Sequence, residues 1–271
     1  MTLRIGLLVT LITATLGAAP LQAWGPVVHQ VVTLEAIDTL PKGLKGFYKD
    51  HRLELPTLGL EFEEEVQAEA LDRRFAVDRL MPFPFLDLPR SEAELTEQYG
   101  AAADGIGRLP WLIQESFARL VEAFKASDKN RILEESDLLS GLVTDMHNPL
   151  ALTENSDGQT TEQHGLWVRF SVRLPEIIRG DLKLKTDAAN YIDQPNEFVF
   201  GLINANYVWV DNVLYNEELA QRGNQYSTAY YDLFKLRAAQ ILGWRFSAAA
   251  EYVGSYWYTA WVDAGRPEMK Q

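Results

Sequence analysis

Apolar residues recur at helical spacing through nearly the whole chain, and nowhere do they alternate with polar ones over the length of a strand. The stretch Val27 to Leu40 carries Val28, Val31, Val32, Leu34, Ile37 and Leu40 on a helical stripe and stops at Pro41. Lys42 to His51 is a short basic stretch with Phe47 and Tyr48, a second helix or a turn. Leu60 to Val77 is expected to be helical, with Glu61, Glu63, Glu64 and Glu65 where acidic side chains suit a helix N-terminus. Pro82, Pro84 and Pro89 then impose an extended or irregular segment. Pro110 opens a helix to about Ala126. Ser127 or Asp128 caps the next helix, which runs to about His147 and is ended or kinked by Asn148-Pro149. After a loop at Asn155-Ser156-Asp157-Gly158, helices are expected over Thr161 to Leu174, Phe198 to Leu219, and Ser227 to about Val262. The pattern implies an all-α fold in a single multi-helix domain.

The first 23 residues change the picture. Arg4, the apolar run Ile5 to Leu16, and Pro20-Leu21-Gln22-Ala23 have the three parts of a secretory signal peptide. Cleavage after Ala23 makes Trp24 the mature N-terminus and leaves 24–271 as the folded domain, secreted or periplasmic. No later segment is apolar enough to span a membrane. The chain has no cysteine, so a bound metal would need nitrogen and oxygen donors. A net charge of −13 disfavours nucleic acid and anionic lipid as general partners. It excludes neither as a substrate, because a local cationic or metal site overrides the global field.

The chemistry-bearing residues concentrate at Thr144-Asp145-Met146-His147-Asn148-Pro149-Leu150 and at Trp24-Gly25-Pro26-Val27-Val28-His29. Asp145 and His147 cannot share a helical face, since neighbours two apart diverge by about 200°. Asp145 shares its face with Gly141, which offers no ligand. A metal at Asp145 therefore needs donors from elsewhere, and His29 and the Trp24 α-amine are candidates. Plainer roles stand beside this one. Trp24 also reads as a buried aromatic, and Asp145 as a carboxylate bonded to Thr144, Asn148 or the following loop. His147 and Asn155 read as residues that fix the turn. Glu69 lies among solvated charges, where Arg73 and Arg74 could pair with it or offer guanidinium groups to phosphate. The aromatic C-terminal helix reads as core, with one of Tyr252, Tyr256 and Tyr258 facing a cleft.

Four segments taken together give the chain a resemblance. They are Trp24-Gly25 with His29, Thr144 to Leu150, Thr153-Glu154-Asn155 through Gly158 to Gln163-His164-Gly165, and Gly254-Ser255-Tyr256-Trp257-Tyr258 through Asp263-Ala264-Gly265. In these the chain resembles the superfamily of zinc-dependent phospholipases C and single-strand-specific nucleases, all-helical secreted phosphoesterases with three zinc ions. The resemblance implies one zinc at Trp24, His29 and Asp145. A second would share Asp145 and add a carboxylate near Glu69 (or Asp72), but its two histidine positions fall on Pro84 and Gly141. The third would need histidines where Ala151 and Trp167 stand and a carboxylate at Ser171; a shifted alignment places His164 and Val168 there instead.

With four histidines in the chain, His51 outside every motif, the trinuclear site is incomplete. The resemblance thus implies a divergent member with at most one zinc, binding a phosphoester or lipid head group with weak or no hydrolysis. Two alternatives stand: an active phosphodiester hydrolase with one or two metals around Asp145, His29 and Glu69, or a non-catalytic structural or partner-binding envelope protein. Oligomeric state is open.

Overall fold

A computed structural model describes residues 23–55, 72–223 and 225–269. The regular structure among those residues is all helical, and no strand occurs among them. Helices α1 (Pro26–Thr39) and α2 (Lys42–Asp50) follow the expected bounds. Helix α3 (Glu92–Tyr99) was not expected, although Ser91 and Glu94 form a capping box that the sequence displays. Helices α4 (Leu109–Ala126) and α5 (Lys129–Met146) match the reading closely, and Asp128 caps α5 by accepting from the Arg131 N–H at 3.2 Å.

Three expectations are corrected. Most of the helix expected over Leu60 to Val77 lies outside the described residues, but its last part is not helical. Residues 73–76 run irregularly, because their backbone is engaged by distant loops. Phe75 N–H donates to Ala151 O (2.7 Å) and Ala76 N–H to Ile106 O (2.8 Å). The helix expected from Thr161 begins later, as α6, in three consecutive pieces: Leu166–Val168, a π-helical turn Arg169–Arg173, and Leu174–Ile178. Asp157 causes the delay, since its carboxylate accepts from the Gly165 and Trp167 N–H groups at 2.9 and 3.0 Å. The single helix over Phe198 to Leu219 is two, α7 (Pro195–Tyr207) and α8 (Val210–Gln221). They part beside Trp209, which packs on Trp244 while Arg245 donates to Asn206 Oδ1 at 2.7 Å. The last helix, α9 (Thr228–Asp263), spans 36 residues as expected.

Helix α5 is the centre of the packing. Its buried stripe of Ser136, Ser140 and Thr144, spaced four apart, is small and polar rather than bulky. Small side chains let aromatic neighbours reach its backbone: Trp257 Nε1–H donates to Ser136 O and Trp24 Nε1–H to Thr144 O, both at 3.0 Å. Thr33 of α1 meets Ser140, and Tyr48 of α2 meets Ser136, each at 2.7 Å. Each hydroxyl of this stripe thus finds a partner, and α1, α2 and α9 are registered on α5 by direction as well as by apolar contact.

Residues 182–192 form an extended strap along α9. Lys185 N–H donates to Ser247 Oγ (3.0 Å), Asn190 N–H to Ser255 Oγ (3.1 Å) and Ile192 N–H to Thr259 Oγ1 (2.9 Å). The Asp187 amide supports the Glu251 carboxylate between them. The four acceptors recur every fourth residue on one helical face. Four helical residues rise about 6 Å and two extended residues about 6.6 Å, so the periods match over the steps from 185 to 187 and from 190 to 192, while the step between them takes three residues.

Helices α1 and α9 cross at Gly254. A Cβ there would overlap Thr39 Oγ1, already donating to Ala36 O at 2.7 Å, and would lie 3.1 Å from that carbonyl. Gly254→Ala is expected to lower stability by about 1–3 kcal/mol through overpacking, despite its better helix propensity, as measured by urea unfolding.

Candidate functional site

The fold brings His29 to Asp145 and seats the Trp24 indole on the carbonyl of the preceding residue, Thr144. Asp145 is 0% exposed. Its Oδ1 lies 2.9 Å from His29 Nε2, across from α1. Its Oδ2 accepts from Arg73 Nε at 2.7 Å, and Arg73 Nη2 stands 2.6 Å from the same oxygen, an ionic contact off the hydrogen-bonding axis. Arg73 is itself buried. The guanidinium reaches Asp145 because residue 141 has no side chain: a Cβ on Gly141 would lie 2.9 Å from Arg73 Nη2. The sequence reading placed Arg73 near Glu69 or phosphate. Its partner is Asp145, and Glu69 lies outside the described residues.

Trp24 is sealed in. Its ring lies edge-on to Phe246 with centroids 4.9 Å apart, and 5.5 Å from Phe170. Ala23 is buried and its carbonyl accepts from Asn148 Nδ2, which also donates to Ser171 Oγ at 2.9 Å. Gly25 N–H donates to Ser171 O at 3.0 Å. Ala151 supplies its carbonyl to Phe75, and Trp167 lies under the Arg74 guanidinium, 5.6 Å from Cζ to the ring centroid. Four positions where the resemblance expects ligands (Gly141, Ala151, Trp167 and Ser171) therefore hold the 73–75 segment and the first residues of the domain. Pro84 is exposed in the loop before α3.

The remaining histidines do not join Asp145. His164 is exposed, its carbonyl accepts from Arg169 Nη1 at 2.6 Å, and its ring makes no hydrogen bond among the described residues. His51 ends α2 by bonding Phe47 O at 2.8 Å. His147 is buried, its Nδ1–H donating to Val143 O at 2.7 Å and its ring stacked on Tyr252. Burial, against a partial offset from the Val143 carbonyl, brings its pKa down to about 3 from the usual 6.5.

Sequence reasoning missed a second ionic centre. Glu217 of α8, fully buried, accepts from Arg169 Nη2 (2.8 Å), Gln163 Nε2 (2.6 Å) and Tyr230 O–H (3.0 Å). The same guanidinium donates to the Gln163 and His164 carbonyls, so it ties the 155–165 loop to α8 and α9. Arg169 opens the π-helical turn, and only tertiary contacts mark it.

A resident divalent cation does not fit the Asp145 centre as built. Arg73 is a permanent cation on Oδ2, and His29 engages Oδ1. Among the described residues, no group of three or more His, Asp or Glu side chains assembles to hold a metal. Compared with known proteins, the chain matches no family model and no curated protein.

Removing one partner of a buried ion pair strands the other charge. Arg73→Met is expected to destabilise the fold by about 3–5 kcal/mol, and Arg73→Met with Asp145→Leu to recover most of that loss in denaturant unfolding. A second prediction follows from His147. Its folded pKa lies below its unfolded value, so the unfolded chain binds the extra proton. Stability is full above pH 6.5 and declines as pH falls toward 3, by at most about 1.4 kcal/mol per pH unit from this group. His147→Gln should flatten that part of the pH–stability curve.

Proposed function

We propose that this chain is an exported, non-hydrolysing protein of the phospholipase C and single-strand nuclease type, in which Arg73 stands in place of a metal ion and a phosphoester or lipid head group is bound. The observation that carries this reading is the Arg73 guanidinium, 2.6 Å from the buried Asp145 carboxylate in the space that Gly141 leaves open. A metal ion lowers the pKa of bound water and supplies a hydroxide nucleophile. A guanidinium supplies fixed positive charge and donors but no exchangeable water, so it can hold a phosphoester and cannot prepare its attack. Arg74 is the residue offered to that ligand. Its Nη1 donates to Ser156 Oγ at 2.7 Å, it covers Trp167, and it forms no ion pair among the described residues. Export rests on the signal-like sequence of residues 1–23, of which 1–22 lie outside the described residues.

A second reading keeps one zinc. His29 meets Asp145, the Trp24 indole ends on the adjacent Thr144 carbonyl, and cleavage after Ala23 would free the Trp24 amine. This reading requires Arg73 to leave the carboxylate. With a further carboxylate such as Glu69 it becomes the hydrolase alternative.

Elemental mass spectrometry of the secreted, cleaved protein separates the two. The proposal expects fewer than about one zinc per ten chains, no nitrophenol release from bis(p-nitrophenyl) phosphate, and glycerophosphocholine binding weakened roughly tenfold by Arg74→Gln. About one zinc per chain, lost in His29→Ala and accompanied by chelator-sensitive hydrolysis, would replace it with the enzyme reading.

A further inference from the structure

The strap along α9 encloses a cleft of about 690 Å³, walled by Leu182, Lys183 and Lys185 on one side and by Lys235, Trp244 and Arg245 on the other. None of Trp24, His29, Arg73, Arg74 or Asp145 lines it. Residues in an extended segment point alternately to opposite sides. Leu182 and Leu184 accordingly turn toward the core, while Lys183 and Lys185 are exposed together on the other side. The hydroxyl contacts to α9 fix that register, because a slip of one residue would exchange the leucines and the lysines.

The cleft is cationic in an acidic protein. Lys235 is neutralised by Asp181 at 2.5 Å. Lys183 and Lys185 form no ion pair among the described residues. Arg245 donates to the neutral Asn206 and covers the Trp209 ring, its Cζ 5.1 Å from the centroid, and its buried Nε has no partner. Glu251 is the one lining carboxylate not paired with a cation. Three uncompensated cations thus face one uncompensated anion, in a chain whose net charge is −13. The wall also offers a flat apolar surface. Trp244 is 48% exposed and braced from behind by Trp209, with ring centroids 5.4 Å apart. Exposed indole is costly in water, and bracing keeps it from folding away.

We propose that this cleft is a binding site for a small ligand that joins a flat apolar ring to an anionic group: the ring stacks on Trp244, and the Lys183 and Lys185 ammonium groups take the anion. The volume falls within the range of small-molecule sites, roughly 300–1,000 Å³. Lysine ammonium groups on flexible stems act as point charges, so phosphate, sulfonate and carboxylate are all admissible anions. A neutral ring would leave the cations unanswered, and a bare anion would leave the indole in water.

The test is calorimetric titration of the cleaved full-length domain with 1-naphthyl phosphate, with 1-naphthol and inorganic phosphate as the two half-ligands. Saturable binding is expected, at least about tenfold tighter than either half-ligand. Lys183→Gln with Lys185→Gln should weaken it about tenfold or more, as should Trp244→Leu, while Arg74→Gln should leave it unchanged. The three substituted side chains are exposed, and an unchanged thermal midpoint confirms the fold of each variant. Absence of saturation overturns the proposal, as does naphthol or inorganic phosphate binding equally well. Indifference to either set of cleft substitutions, or loss in Arg74→Gln, overturns it too.

Discussion

A carboxylate with no exposure at all sits at the middle of this protein, and the surrounding architecture answers to it. An ionised group removed from water carries a penalty of several kcal/mol unless it is paired and hydrogen-bonded. Asp145 receives a guanidinium from a segment 72 residues upstream and an imidazole from α1. Satisfying both oxygens fixes where α1 lies on α5 and forces residues 73–76 out of a helix and across the end of the bundle. The gap at Gly141 and the carbonyl of Ala151 complete that path. One electrostatic requirement thus sets the position of three chain segments far apart in sequence.

Two other devices repeat the same economy of polar groups. The Ser136, Ser140 and Thr144 stripe on α5 gives tryptophan and tyrosine donors somewhere to end inside the core. The Ser247, Glu251, Ser255 and Thr259 stripe on α9 satisfies an extended segment that has no sheet to join. Backbone groups that lack secondary-structure partners need others, and a helix bearing side-chain oxygens every fourth residue offers an extended chain an acceptor every two or three residues. The strap in turn displays two lysines beside an exposed indole, which gives the α9 face its chemical character.

The Asp145 centre and the α9 cleft differ in what they can do. The first is closed around a buried carboxylate and internally compensated, as suits a group that organises the fold. The second is open and carries unanswered charge. Arg74 stands between these extremes, bonded to a serine and covering an indole but paired with no carboxylate among the described residues. The positions at which the sequence resemblance implied zinc ligands mostly bind the chain to itself, and cations without an ion pair among the described residues sit at their edge and along the strap.

The helices were legible because their signals are short-range. The apolar stripes of α1, α4 and α9, Pro41 and Pro149 as breaks, and the Asp128 cap all act within a turn or two, and the Ser91 capping box was readable in the same way. Trp24, His29 and Asp145 could be grouped through the family resemblance, and Gly141 could be placed on the face of Asp145 by spacing alone. The role of Arg73 could not, because a local reading gives it a neighbouring glutamate and the packing gives it Asp145. Nor could the break at Trp209, the late start of α6 or the pinning of 182–192 to α9. Sequence by itself determined which segments become helices and which faces are apolar, since backbone sterics and periodicity decide those within a few residues. Tertiary structure alone decided which buried charges meet, because that depends on the register of helices brought together from across the chain.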